Sequence, residues 1–193
     1  MKRLCVFCGS SCGNSPGFAA AARELGEAIA VRGIELVYGG SHVGLMGVVA
    51  DAALARGGKV IGVLPRFMAN KELAHPKLTQ LHLVDTMHER KQLMAELAEG
   101  FIALPGGFGT FEEIFEAMTW GQLHLHNYPC AFLNVAGYYD LLVEFLRTPV
   151  VNGFVRQEQF EALIVAQSVE ELFDRLARFR PEKSDKWIPK RMI

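Results

Sequence analysis

Residues 101–125 constrain the fold more than any other stretch of the chain. Phe101-Ile102-Ala103-Leu104 is a short apolar run of the kind that fills a strand covered on both faces. Pro105-Gly106-Gly107-Phe108-Gly109-Thr110-Phe111-Glu112-Glu113 follows, and Ile114 to Leu125 reads as an amphipathic helix. A strand, a glycine-rich turn and a helix start together make a phosphate-binding unit. Glycine lets the backbone approach an anion closely, and the helix N-terminus presents unpaired N–H groups and the positive end of its dipole. Glu113 is expected in the first helical turn, beside whatever the loop holds. Thr110-x-x-Glu113 also reads as a capping box, in which Glu113 folds back onto the Thr110 N–H. A plain helix start needs none of the three glycines, so the stretch points to a phosphorylated ligand and a carboxylate placed to act on it. It is not a Walker A loop, because the Gly-Lys-Ser/Thr ending is missing. Nor does it open the first strand–helix unit, as a dinucleotide fingerprint would.

The same alternation runs through the chain. Strands are predicted at Leu4–Cys8, Glu35–Tyr38, Val60–Leu64, Leu81–Val84, Phe101–Leu104, Ala131–Asn134 and Leu163–Ala166. Helices are predicted from Ser15-Pro16 to Gly33, from Leu45 to Arg56, from Met87 to Ala98, after Thr110, and from the capping box Ser168-x-x-Glu171 onward. Strand–helix alternation implies an α/β fold: one Rossmann-like domain over residues 1–180, with a parallel sheet flanked by helices on both faces. Residues 181–193 read as a polar C-terminal tail. Ligands in such a fold bind outside the carboxyl ends of the strands. Three glycine-bearing turns fall there: Cys8 to Gly13, Tyr38 to Gly44, and Pro105 to Thr110. His42 reads as a solvated loop residue, and His124 and His126 as complements to the negative end of the helix they close.

Composition narrows the function. Of the 193 residues half are apolar and 21% charged, with a formal net charge of −1 and no basic block. Nucleic-acid binding, which needs clustered Lys and Arg, is not expected. No apolar run reaches the roughly 20 residues of a membrane span. Gly9-Ser10-Ser11 interrupts the N-terminal apolar run too early for a secretory signal, so a cytoplasmic location is expected. Cys5-x-x-Cys8 is not read as a metal or redox pair, because residues three apart on a strand point to opposite faces. Cys5, Cys8, Cys12 and Cys130 read as buried structural thiols. No metal and no cofactor are expected.

The helix starting near Met87-His88-Glu89-Arg90-Lys91 contains an anomaly. Thr86-x-x-Glu89 makes a capping box, but Arg90 and Lys91 then lie near the positive dipole end, where cations cost roughly 0.3–1 kcal/mol. Glu89, Asp85 and solvent offset this in one reading. In the other, the helix end faces the active edge and collects an anion, with Arg90 as a planar fork and Lys91 as a point charge.

With these residues in place, the chain resembles the Lonely Guy family of cytokinin riboside 5′-monophosphate phosphoribohydrolases, whose members are often labelled lysine decarboxylases. Pro105 to Glu113 fits the family's PGGxGTxxE, and Met87 to Lys91 fits its MxxRK. Tyr38-Gly39-Gly40-Ser41-His42-Val43-Gly44-Leu45-Met46-Gly47 fits a further glycine-rich loop, with Ser41 where glycine is more usual. Cys8-Gly9-Ser10-Ser11 fits the first such loop, and the likeness runs from Cys5 to about Val169.

The resemblance implies that Arg90 and Glu113 are the catalytic pair. It implies that Gly107, Phe108, Gly109, Thr110, Phe111, Glu112 and Glu113 cradle the nucleotide, with Lys91 beside Arg90. Glu72 and Thr119 align with further substrate-binding positions. It also implies a homodimer with sites near the subunit interface, and hydrolysis of the N-glycosidic bond of an adenosine-type nucleoside 5′-monophosphate. The residue types suit that chemistry: a carboxylate stabilises an oxocarbenium-like sugar, activates water or attacks it, and an arginine stabilises charge. The decarboxylase label finds no support, since Lys91 beside Arg90 lacks the surroundings of a pyridoxal-phosphate lysine. Competing readings are an AMP nucleosidase, a base-exchange transferase, and a nucleotide or molybdenum-cofactor carrier that binds without cleaving.

Overall fold

Seven short apolar runs line up side by side in one parallel sheet. The structure, a computed structural model, describes residues 1–69 and 73–181. The strands are β1 (Arg3–Phe7), β2 (Glu35–Tyr38), β3 (Val60–Pro65), β4 (Gln80–Val84), β5 (Phe101–Ala103), β6 (Cys130–Leu133) and β7 (Ile164–Ala166). Their order across the sheet is β4-β3-β2-β1-β5-β6-β7, and every pairing is parallel. All seven predicted strands are present, each within a residue of its expected bounds at either end.

Alternation along each strand feeds two cores. Leu4, Val6, Leu36, Tyr38, Ile102 and Leu104 face one layer, while Cys5, Phe7, Val37, Phe101 and Ala103 face the other. Strands buried on both faces need apolar residues at every position, which is why they read as continuous runs. The first layer holds α1 (Pro16–Val31), α2 (Gly44–Ala55) and α9 (Val169–Arg178), the second α4 (Met87–Leu97) and α5 (Phe108–Gln122). α3 (Arg66–Ala69) follows β3 directly. The two-sided α/β architecture is the one expected. The expected polar tail beyond residue 181 and Asn70 to Glu72 lie outside the described residues.

Strand order places the binding edge. The chain moves outward from β1 through β4, then returns to β5 on the other side of β1. The direction of winding reverses between β1 and β5, so a crevice opens at their carboxyl ends. α4 makes the return journey, crossing under β4, β3, β2 and β1. That path sets its N-terminal turn beneath the ends of the inner strands.

Several expectations need correction. α5 begins at Phe108, with Gly107 as its N-cap and no side-chain cap bond. Thr110 is therefore inside the helix and Glu113 is in the second turn, so Thr110-x-x-Glu113 is not a capping box here. Cys5, Cys8 and Cys130 are buried free thiols, with Cys5 and Cys8 in opposite cores, but Cys12 is exposed. His126 does not act as a cation at a helix end. Its Nε2 donates to Ala117 O (2.9 Å), its Nδ1 accepts from the Tyr128 N–H (3.1 Å), and burial lowers its pKa. The segment after β6 holds a 3-10 turn (Val135–Gly137) and short helices α6 (Asp140–Phe145), α7 (Arg147–Val151) and α8 (Gln157–Glu161), which were not anticipated.

Candidate active site

Thr86 caps α4 as its sequence suggests: its side-chain oxygen accepts from the Glu89 N–H (3.1 Å), and Glu89 accepts from the Asp85 N–H (2.8 Å). The following residue, Arg90, turns inward. Its Nε donates to Val63 O (3.1 Å), within β3, and its Nη2 donates to Gly39 O (3.2 Å), just past β2. Gly39 has to be glycine for this: a Cβ there would lie 1.9 Å from Arg90 Nη2. The anomaly of a cation at a helix start is resolved by two main-chain carbonyls, one within β3 and one just past β2, where burial without partners would cost several kcal/mol.

The remaining arm of the guanidinium faces Glu113. Arg90 Nη1 lies 3.6 Å from Glu113 Oε1, and the two side chains are only 8% and 12% exposed. Burial is the main cause of a raised Glu113 pKa, and Arg90 is the chief opposing influence. The result is a carboxylate in a low-dielectric corner, held by one fixed cation. A charge in such a setting acts more strongly on a nearby developing charge than it would in water.

The loop in front of the pair has an outward-facing backbone. Cβ atoms added at Gly107 or Gly109 would meet nothing within 4 Å, so neither glycine is required by packing inside the protein. Gly106 differs: its Cβ would lie 2.1 Å from Thr110 Oγ1. With no side chain capping α5, its first-turn N–H groups are left for a ligand. Phe108 is exposed, Thr110 is buried, and Phe111 packs edge-on against Tyr139. The neighbouring loops are tied to this one: the Gly9 N–H donates to Pro105 O (3.1 Å), and the Leu45 N–H to Gly9 O (3.0 Å).

Two supporting residues escaped the sequence reading. The Tyr138 hydroxyl donates to Gly106 O, and the Tyr139 hydroxyl to Leu104 O (2.6 Å). They brace the Pro105 loop from the turn after β6, where Ala136 adopts φ 52°. Gly137-Tyr138-Tyr139 carried a turn signal but nothing that revealed its target, more than thirty residues upstream.

Other anticipated site residues fall elsewhere. Lys91 points toward α5, and its Nζ donates to Glu112 Oε1 and to Glu116 Oε1 (3.1 Å). That cluster holds two anions for one cation, so it adds no net positive charge for a phosphate. Its partners raise the Lys91 pKa against the effect of burial, the opposite of what a Schiff-base lysine needs. The Thr119 hydroxyl donates to Phe115 O (2.8 Å). Thr119 lines a separate cavity of about 300 Å³ with Phe115, Met118, Leu146 and Phe160. His42 is exposed, as expected, with Nδ1 3.1 Å from Leu73 O. Glu72 lies outside the described residues.

Residues 46–176 match the model of the family described as "Possible lysine decarboxylase". The chain is 48% identical over 170 residues to the cytokinin riboside 5′-monophosphate phosphoribohydrolase of Rhodococcoides fascians, spanning 88% of this chain and 86% of that protein. It is 43% identical over 180 residues to an Arabidopsis thaliana protein of the same name, spanning 93% and 84%. Among solved structures it is similar to a molybdenum cofactor binding protein from Rippkaea orientalis. That pair has a TM-score of 0.70 and 22% identity, over 92% of this chain and 97% of the other. A molybdenum cofactor carrier protein from Chlamydomonas reinhardtii gives a TM-score of 0.69 and 19% identity over the same shares. Likeness at that identity speaks for the fold alone.

Proposed function

The chain belongs to the family described as "Possible lysine decarboxylase", to which cytokinin riboside 5′-monophosphate phosphoribohydrolases are its relatives, and from that premise we propose that it hydrolyses nucleoside 5′-monophosphates. The substrates are cytokinin riboside 5′-monophosphate, AMP or both, and the products are the free base and ribose 5-phosphate. The observation that carries this reading is the buried Arg90–Glu113 pair beside an uncapped, glycine-edged helix start.

The 5′-phosphate takes the N–H groups of Gly107 to Thr110, which fixes the sugar against Glu113 and uses binding energy to orient the reacting carbon. The bond from the anomeric carbon to the base nitrogen breaks, and its electron pair leaves with the base. The sugar becomes oxocarbenium-like, and the Glu113 carboxylate stabilises that cation. Water supplies the oxygen that closes on the anomeric carbon, and the proton it gives up passes by way of the Glu113 carboxylate to the departing base nitrogen. Arg90, which stays charged throughout, faces Glu113 and favours its ionised form. Phe108, Phe111 and Glu72 complete the substrate-binding set in this proposal, within a single Rossmann-like domain at work in the cytoplasm. Among the described residues no helix is long and apolar enough to cross a membrane.

A homodimer is part of the same proposal. Of the apolar residues on α5, Ile114 is fully buried, Phe115 and Met118 pack against the monomer core, and Phe108 is exposed at the helix start beside the candidate site. The support comes from Leu141, Phe145, Val151 and Phe154, all exposed on the segment after β6.

The test is to incubate purified protein with AMP, its N6-isopentenyl analogue and adenosine, and to assay free base and sugar phosphate. Both monophosphates should release base, and adenosine should be cleaved poorly in turnover as well as in affinity. Nucleotide binding without release of base would identify a carrier instead.

A further inference from the structure

Lys91 and Arg90 are adjacent on α4 but take up different tasks. Arg90 runs inward under β2 and β3, whereas Lys91 crosses to α5 and enters the gap between Glu112 and Glu116. The Lys91 side chain is 10% exposed. Glu112 and Glu116 lie one turn apart on α5 and flank Glu113. The Arg90–Glu113 separation of 3.6 Å is longer than a hydrogen bond, so that pair does not lock its own geometry. Its two members come from different helices, and the alignment has to be held by something else.

We propose that Lys91 is a positioning residue for the reaction: with Glu112 and Glu116 it clips α4 to α5 and so fixes where Arg90 meets Glu113. The proposal rests on the hydrolytic reading and assigns Lys91 and Glu112 a role other than touching the substrate. Two of the three Lys91 donors are already taken, and the cluster's net charge is negative, which is unsuited to receiving a phosphate dianion.

The clip also sets the electrostatic surroundings of Glu113. Arg90 and Lys91 face it from α4, Glu112 and Glu116 from its own helix, and Cys5 and Cys8 from β1 and its end. Burial pushes both thiols up, so they carry no charge at neutral pH. After burial and Arg90, Glu112 raises the Glu113 pKa, Lys91 lowers it and Glu116 raises it. Removing Lys91 therefore makes Glu113 harder to ionise, and removing Glu116 makes it easier.

The experiment compares full-length wild type with Lys91→Met, Lys91→Arg and Glu116→Gln, using AMP as substrate across the acid and neutral range. Misalignment of a reacting group by about 1 Å costs on the order of 10²-fold, so Lys91→Met should lose roughly 10- to 100-fold in kcat. Its KM should stay within about twofold of wild type, because no ground-state contact is removed. Its acid limb should move to higher pH, Lys91→Arg should restore most of the turnover, and the acid limb of Glu116→Gln should move to lower pH. A rise of about tenfold in KM at unchanged kcat for Lys91→Met would mark Lys91 as a substrate ligand and overturn the proposal. If Lys91→Met does not fold, an unshifted acid limb in Glu116→Gln overturns it equally. Failure of the wild type to hydrolyse any nucleoside monophosphate removes the hydrolytic reading and this proposal together. Wild-type turnover with a KM-type Lys91→Met removes this one alone.

Discussion

Burial raises the Glu113 pKa, and Arg90 only partly opposes it. A carboxyl whose folded pKa lies above its unfolded value holds its proton more tightly in the folded state. Well below the ordinary value of 4.5 both states are protonated and the difference vanishes. As pH rises through the folded pKa, the fold comes to bear the whole penalty of the charge. Glu113→Gln keeps the shape and removes the charge. It should therefore melt at a higher temperature than wild type at neutral pH, with the gain fading in acid. Its kcat should be lower by roughly 10²–10⁴-fold, the usual loss for a base or electrostatic group. Thermal melts across pH together with one turnover assay check both parts. A lower melting temperature at neutral pH would mean that Arg90 needs its partner more than burial penalises it. The residue types were legible in the sequence, but the burial of Arg90 was not. Its carbonyl acceptors at Val63 and Gly39 lie 27 and 51 residues away along the chain, and main-chain oxygens leave no trace in composition.

Three helix starts share the pattern Thr or Ser, two residues, then Glu. At Thr86 and Ser168 the hydroxyl caps the helix. At Thr110 it does not, because α5 has already begun two residues earlier at a glycine with no side chain to offer. The difference is a property of the element: the helix whose N–H groups are left open is the one beside the Arg90–Glu113 pair. Gly107→Asp should close it. The backbone at Gly107 (φ −96°, ψ −156°) suits any residue, and its Cβ would have free space. An aspartate cap should stabilise the helix by a few tenths of a kcal/mol over glycine, raising Tm by roughly 1 °C. It should also raise KM for the nucleotide, because the carboxylate occupies the donors and repels the phosphate. Calorimetry and steady-state kinetics on one variant measure both, and an unchanged KM would show that α5 does not hold the phosphate. Strands and long helices were legible because each is a continuous apolar run or carries a cap. The segment from Val135 to Glu161 was not, since its helices are only three to six residues long and its core-facing Tyr139, Leu142 and Val143 are interleaved with exposed Leu141 and Phe145, which blurs any period.

At the scale of the molecule, the homodimer proposal draws on Leu141, Phe145, Val151 and Phe154, four exposed apolar residues within one short segment of the chain. Light scattering at micromolar concentration should report twice the 21.4 kDa chain mass. A species of the chain mass alone would remove the homodimer. The arrangement that serves chemistry in the present also shapes how the protein can change over generations. Arg90 hangs from two peptide carbonyls, and a peptide carbonyl is supplied by whichever amino acid occupies the position. Apart from Gly39, the positions that supply them can drift in sequence without unhooking the cation.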